Sequence, residues 1–443
     1  MGGRPIQTRR QWLAACGTAV GAAALAGCTG SDDETTDDSD NIDSTRETNG
    51  DETTENGGLG SLSGATWPMS RFTAGNRMVT DDWSGPDGPL EERWTFETDD
   101  GVAVSGPVVG HGLVYVAAED SVLYALDTVT GDVEWVIDRT YPDAPPGADH
   151  PPTTPAVSDD AVYFLTDALE AIDPDNGDQH WSVDLGSRPE KPGHIRVYNS
   201  TVYVHSDEKL YAVDADTEAI IWEETISEVQ HIAVGVDETL YVSHKTNNGH
   251  DYEVVAFDIE KDEAVWTYSP PGNVDTGREL MVRDGTVYTH ELDTVLAIDG
   301  ETGEGETIVV YNDDEDESVA AGRSPTIANE TIYSGGVFDQ RSVLTRDVET
   351  GEEPETWDPD DLSSGPTGRR LFVSDDTLYV WRNFGYTHLD ALDPETGEQR
   401  WTTHTTDHIE IFGARIEGYV LLDDVVIFSA NGNLGAISAL VPE

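Results

Sequence analysis

Cysteine is nearly absent from this chain. Two occur in 443 residues, Cys16 and Cys28, and both fall in the first thirty positions, so no disulfide framework holds the body together. Basic residues are scarce too: 24 Lys and Arg stand against 88 Asp and Glu, a formal net charge of −64. Lysine occurs only at Lys191, Lys209, Lys245 and Lys261. Such a chain repels phosphate backbones and anionic membrane faces, which excludes nucleic acid as a partner. No apolar run is long and firm enough for a good spanning helix. Beyond the N-terminus no apolar pattern of helical period competes with short alternating runs. There is accordingly no helix for a glycine-rich phosphate loop to open, and no Ser/His/Asp set stands out.

What the chain has is repetition. Asp127, Gly131 and Trp135 recur with the same spacing as Asp173, Gly177 and Trp181, and again as Asp393, Gly397 and Trp401. Worn copies lie at Asp214/Trp222, Asp258/Trp266, Asp299 and Asp347/Trp357. In the third and fourth copies Glu218 and Asp262 replace the Gly, and in the fifth Thr307 stands where Trp is expected. The copies are roughly 41 to 48 residues apart, a period of blades or solenoid units. Before each Asp run short β-branched and aromatic stretches such as Leu113–Ala117 and Val122–Leu126, which read as strands bounded by turns. The Asp suits a turn in which its carboxylate accepts N–H groups two residues on. The Gly supplies a positive φ, and the Trp offers a large apolar face to a seam between units. These carboxylates are therefore read as turn residues rather than metal ligands.

Seven Asp turns are followed by a partial eighth unit, Leu421–Phe428 and Leu434–Ser438, which ends before any Trp strand. The missing strand appears at the other end, around Trp94. The expected fold is all-β: an eight-bladed propeller of four-stranded blades over residues 91–443, with the N-terminal strand completing the last blade and leaving no unpaired edge at the join. Seven blades would leave Trp94 without a role.

The Asp-x-x-Thr/Asn-Gly-x-x-x-Trp pattern resembles the repeat of the quinoprotein-type, or PQQ-binding-like, β-propellers. Trp67-Pro68 with Arg71, within a lead-in over residues 65–90, is similar to the segment that often precedes such propellers. The layout is closest to the bacterial outer-membrane-assembly propeller lipoproteins. The resemblance implies either a cofactor-free interaction module or an enzyme holding PQQ and Ca²⁺ with a vicinal Cys pair, acidic and amide ligands and a catalytic Asp. No Cys pair is available, so no cofactor is expected and no catalytic residue is assigned. The leading expectation is a non-catalytic scaffold for an extracytoplasmic protein or peptide, itself monomeric; the alternatives are a small-ligand or sugar-binding module or a PQQ-dependent dehydrogenase-like enzyme.

The first residues read as an address. Arg9 and Arg10, before Gln11-Trp12-Leu13, have the shape of a twin-arginine export signal, and Leu25-Ala26-Gly27-Cys28 fits a lipobox. Residues 1–28 are expected to be the signal, Cys28 to carry the lipid, and the chain to sit on the outer face of the cytoplasmic membrane. Residues 29–64, acidic and almost without apolar side chains, are expected to form a disordered linker. The acidic surplus, spread over the whole chain, is read as halophilic adaptation rather than a surface for a basic partner or Ca²⁺. Two groupings offer metal-ligand residue types and are read as solvated loops: His404 with Asp407 and His408, and the acidic run Asn312–Ser318. Asn199-Ser200-Thr201 and Asn329-Glu330-Thr331 are glycosylation sequons, and Asn is also simply a good turn residue.

Overall fold

The structure is a computed structural model. It describes Met69, Thr73 and residues 85–442 apart from connections, the longest being 140–151, 311–325, 353–367 and 405–414. The signal, the lipobox, the acidic linker and Trp67 lie outside the described residues, all of which fall in the unit 57–443. That unit is a ring of antiparallel sheets: eight sheets, seven of four strands and one of three among the described residues. No described helix is long and apolar enough to cross a membrane.

Each sheet is a blade of consecutive strands. Blade 1 runs Val108–Gly110, Leu113–Ala117, Val122–Asp127 and Val133–Asp138; blade 3 runs His194–Tyr198, Thr201–Ser206, Lys209–Asp214 and Ala219–Thr225. Blade 6 ends at Val343–Asp347, and Trp357, where its fourth strand is expected, lies outside the described residues. First strands of neighbouring blades touch one another and so line the axis. Fourth strands lie outermost and mostly exposed, as in Val133–Asp138.

Blade 8 draws on both ends of the chain. Leu90–Glu97 pairs antiparallel with Gly435–Pro442, placing Trp94 opposite Ala439. The largest apolar cluster lies at this join. It unites Trp94 with Val114 and Leu126 of blade 1, Phe428 and Ile437 of blade 8, and Tyr379 and Trp401 of blade 7.

The repeated turn behaves as its chemistry requires. Asp127 Oδ1 accepts the N–H groups of Val129 at 2.9 Å and Thr130 at 2.8 Å, and Gly131 sits at φ 73°. A Cβ on Gly131 would lie 2.5 Å from the Trp94 ring, and one on Gly303 would lie 2.6 Å from Trp266. The Gly thus answers two demands, backbone handedness and the approach of the preceding blade's Trp. Where Gly is replaced, the backbone keeps its shape: Glu218 has φ 58° and Asp262 φ 56°. Holding a side chain in that region costs roughly 1 kcal/mol, so Glu218→Gly is expected to raise stability by about that amount. A urea midpoint that falls instead would contradict this.

The Trp positions carry a feature invisible in the sequence. The residue immediately before each is a β-bulge: Glu134 before Trp135, His180 before Trp181, Ile221 before Trp222, Val265 before Trp266, Arg400 before Trp401 and Arg93 before Trp94. A bulge re-aims the residue that follows, and here it turns each Trp into the seam. It also accounts for Ile221 and Val265, which stand exposed as bulge residues rather than as parts of an apolar patch. Blade 5, which has no Trp, lacks the bulge at this place; Glu306 there opposes Ala297.

Candidate functional site

Alternation of strand direction gives the ring two ends. At one, the turn end, lie the tight hairpins between first and second strands and the Asp turns. At the other, the loop end, lie the connections between blades and those between second and third strands.

The turn end is consumed by the seams. Trp94 Nε1 donates to Thr128 O at 3.1 Å, Trp135 Nε1 to Pro174 O at 3.0 Å and Trp266 Nε1 to Gly300 O at 2.9 Å. Each reaches the residue after the Asp of the next blade. A tyrosine on the second strand does the same: Tyr333 OH donates to Pro394 O at 2.9 Å and Tyr241 OH to Gly300 O at 3.3 Å. Burial, with nearby turn carboxylates adding to it, pushes Tyr241 up to about 12. In blade 7 the acceptor for Tyr379 OH is Pro86 O, at 3.1 Å. Blade 8 has no chain running from its third to its fourth strand, and Gly85–Pro86 of the lead-in stands in for the missing turn. Sequence reasoning places the lead-in but not this role, nor that Met69 Sδ accepts the N–H of Val197 on the axis-lining strand of blade 3.

The turn carboxylates are likewise occupied. The N–H and hydroxyl of Thr302 hold Asp299 below the usual carboxylate range, and Thr350 does the same for Asp347. Partial burial raises Asp393, but Thr396 and the Arg400 guanidinium outweigh it and leave the group lowered.

The loop end of the axis differs. His194 and His205 face each other across the first two strands of blade 3, with ring centroids 6.2 Å apart. His231, on the first strand of blade 4, stands 4.9 Å from His194. His194 Nε2 lies 2.9 Å from Gln230 O, and Arg196, only 1 % exposed, lies two residues along the same strand. His244, His290 and His388 also sit at loop-end strand positions, in blades 4, 5 and 7. By contrast His111 and His180 lie at the turn end. His194 as a residue is half-buried, but its ring sits inside the cluster. That desolvation, with the charge of Arg196 and the neighbouring His205, pushes it down to about 3.

A histidine lowered on folding binds fewer protons in the native state than in the unfolded one. Its contribution is complete above the unfolded value of about 6.5 and is lost as pH falls below it. Acid unfolding is therefore expected to begin near pH 6, with a one-proton slope of at most about 1.4 kcal/mol per pH unit from this group. His194→Gln should flatten that limb in urea titrations between pH 7 and 4. An unchanged limb would assign it to other groups.

Of the two groupings read from sequence as solvated loops, His404 ends the last strand of blade 7 opposite His388. Asp407, His408 and Asn312–Ser318 lie outside the described residues. Among the described residues no group of three or more His, Cys, Asp or Glu is placed to hold a metal ion.

A family model described as outer membrane protein assembly factor BamB matches residues 82–268 and, overlapping, 166–403. The chain belongs to this family. No curated protein matches it. Among solved structures, it is similar to a quinohemoprotein alcohol dehydrogenase from Pseudomonas putida, with TM-score 0.59, 14 % identity, and 85 % of this chain and 80 % of that one covered. It is similar to BamB from Moraxella catarrhalis, with TM-score 0.52, 14 % identity and coverage of 80 % and 99 %. A computationally designed protein is as similar, with TM-score 0.57, 15 % identity and coverage of 81 % and 100 %. An enzyme, an assembly factor and a designed chain share this geometry, so the likeness shows the fold and leaves activity to the site.

The described residues do not fit PQQ with Ca²⁺. Calcium takes six to eight oxygen ligands, whereas around His194 the described side chains are mainly imidazoles and a guanidinium, with Glu279 the carboxylate that acts on His194, and no described group of three or more His, Cys, Asp or Glu is placed to hold a metal ion. Cys16 and Cys28 are not adjacent and belong to the N-terminal segment. No chemical step through that cofactor follows from this chain.

Proposed function

We propose that the protein is a non-catalytic scaffold, exported and tethered by lipid on Cys28 to the outer face of the cytoplasmic membrane, which engages a protein or peptide partner through the loop end of its propeller. The observation that carries this reading is the asymmetry between the two ends. At the turn end the Asp, Trp and Tyr side chains and the bare Gly backbone are committed to the turns and to holding blades together. The connections between blades and the histidine group around His194 belong to the loop end, and binding residues commonly sit on loops held by a rigid scaffold. Membership of a family described by an assembly factor supports the same reading, as does an axial donor set unsuited to PQQ with Ca²⁺.

The tether is tested through its chemistry. Cys28→Ala is expected to move the protein from the membrane fraction to the medium, and Arg9→Lys with Arg10→Lys to hold it inside the cell. A Cys28→Ala protein that stays on the membrane would contradict the anchor. The absence of catalysis is tested by titrating PQQ with Ca²⁺ in calorimetry and following dye reduction over alcohols and aldose sugars. No saturable heat is expected; saturable binding with turnover would replace the scaffold by a dehydrogenase.

A further inference from the structure

We propose that Asn329 carries an N-linked oligosaccharide and that Asn199 does not, an inference that rests on the export reading above. Both sequon asparagines occupy the same place, the first hairpin of a blade, in blades 3 and 6. Both are exposed and left-handed, Asn199 at φ 47° and Asn329 at φ 46°, and each is followed by a second left-handed residue, Ser200 at 60° and Glu330 at 62°. Two successive positive φ values make the type I′ turn that favours Asn at its first position. Turn geometry is therefore common to the two sites and does not separate them.

Their surroundings do. Asn199 Nδ2 donates to Glu238 Oε1 of the neighbouring blade at 3.0 Å. Beside it Tyr198 OH donates to Val236 O at 3.0 Å, so this hairpin is braced against blade 4. Thr201, whose hydroxyl belongs to the recognised sequence, is only 3 % exposed. Asn329 has no comparable bond to a neighbouring blade among the described residues, and its side chain faces solvent. Thr331 is half-buried rather than buried, with its hydroxyl near the Tyr333 phenol. A transferase must reach both the Asn amide and the hydroxyl two residues on. At 329 the amide is exposed and at 331 the hydroxyl is half-buried, whereas at 199 the exposed amide is tied to Glu238 and at 201 the hydroxyl is buried.

The donor required is an oligosaccharide linked through phosphate to a membrane lipid. The bond between sugar C1 and the phosphate oxygen breaks and a bond from C1 to Asn329 Nδ2 forms. The amide loses one proton to a base, and the phosphate leaves on the lipid. In an unfolded chain the two sequons differ only in the middle residue, Ser200 against the acidic Glu330, which does not favour Asn329; the difference in access belongs to the folded ring. Selective modification would thus also show that the transferase meets the propeller already folded.

The test is intact-mass and glycopeptide analysis of the full chain purified from membranes of its own host, beside Asn329→Gln and Asn199→Gln. The expected result is a sugar mass on the Asn329 peptide, lost in Asn329→Gln and kept in Asn199→Gln. A lipid-bearing mature chain with no sugar on Asn329 overturns the proposal and leaves export intact. Sugar on Asn199 overturns the selectivity. A chain still carrying residues 1–27 and no sugar overturns both the proposal and the export reading.

Discussion

Trp94→Ala is expected to cost about 3–5 kcal/mol, the range for a large buried aromatic cut to Ala, and to be among the most damaging single changes in the ring. Trp94 is 7 % exposed and belongs to the cluster that joins blades 7, 8 and 1. Its Nε1 bonds Thr128 O at 3.1 Å, so truncation also leaves an inner carbonyl short of a donor. The strand that carries it comes from the N-terminal side, while its partner Gly435–Pro442 is the last strand of the chain. The lost energy is therefore lost at the one place where the ring is held by pairing rather than by continuous chain. Removing residues 85–97 altogether should do more. It bares the edge of Gly435–Pro442 and takes away the Pro86 carbonyl that Tyr379 needs, and an open apolar edge of that kind associates. Urea midpoints for Trp94→Ala, and light scattering for the truncated chain, check both. A Trp94→Ala midpoint within experimental error of the parent would mean that the ring is closed by something else.

Lowering salt from about 2 M to 0.1 M is expected to bring the melting temperature down by roughly 10 °C or more. The net charge is −64, and carboxylates such as Asp175, Asp216 and Glu301 crowd the turn end in exposed positions. At 1 M the screening length is about 3 Å, and at 0.1 M about 10 Å. Charges on neighbouring turns therefore ignore one another in strong salt and repel in weak salt. A loss of about 5 kcal/mol corresponds to a shift of roughly 10 °C, given the 2–4 °C per kcal/mol typical of domains of about 200 residues and a smaller response in longer chains. Replacing those three residues by Asn, Asn and Gln should flatten the dependence without touching the turn bonds, which their backbone N–H groups make to Asp173, Asp214 and Asp299. Calorimetric melting across a KCl series checks this. A melting temperature flat from 0.1 M upward would mean that the acidic surplus does not set stability.

Much of the ring is legible in the sequence itself. Asp127, Gly131 and Trp135 can be read there because turn and seam chemistry repeats locally and leaves a periodic trace. Trp94 points to the eighth blade because a lone strand with a seam Trp has nowhere else to go. The bulges at Glu134 or Val265 leave no trace, since any residue can occupy a bulge. The Pro86 carbonyl leaves none either, because its partner Tyr379 is 293 positions away. The axial histidines escape a sequence reading for a different reason. His194, His205 and His231 come from three strands and share no motif, and the one trace is the position of His205, two residues beyond Tyr203 as His290 is beyond Tyr288.

Whether the loop end of the closed ring is its working face is best decided by photocrosslinking in intact cells. Single photoreactive residues would replace Glu208 and Glu228, exposed at the loop end, and Asp175 and Asp216, exposed at the turn end. A discrete protein adduct is expected, the same from both loop-end positions, and none from the turn end. Adducts from Asp175 and Asp216 with a silent loop end would contradict the assignment.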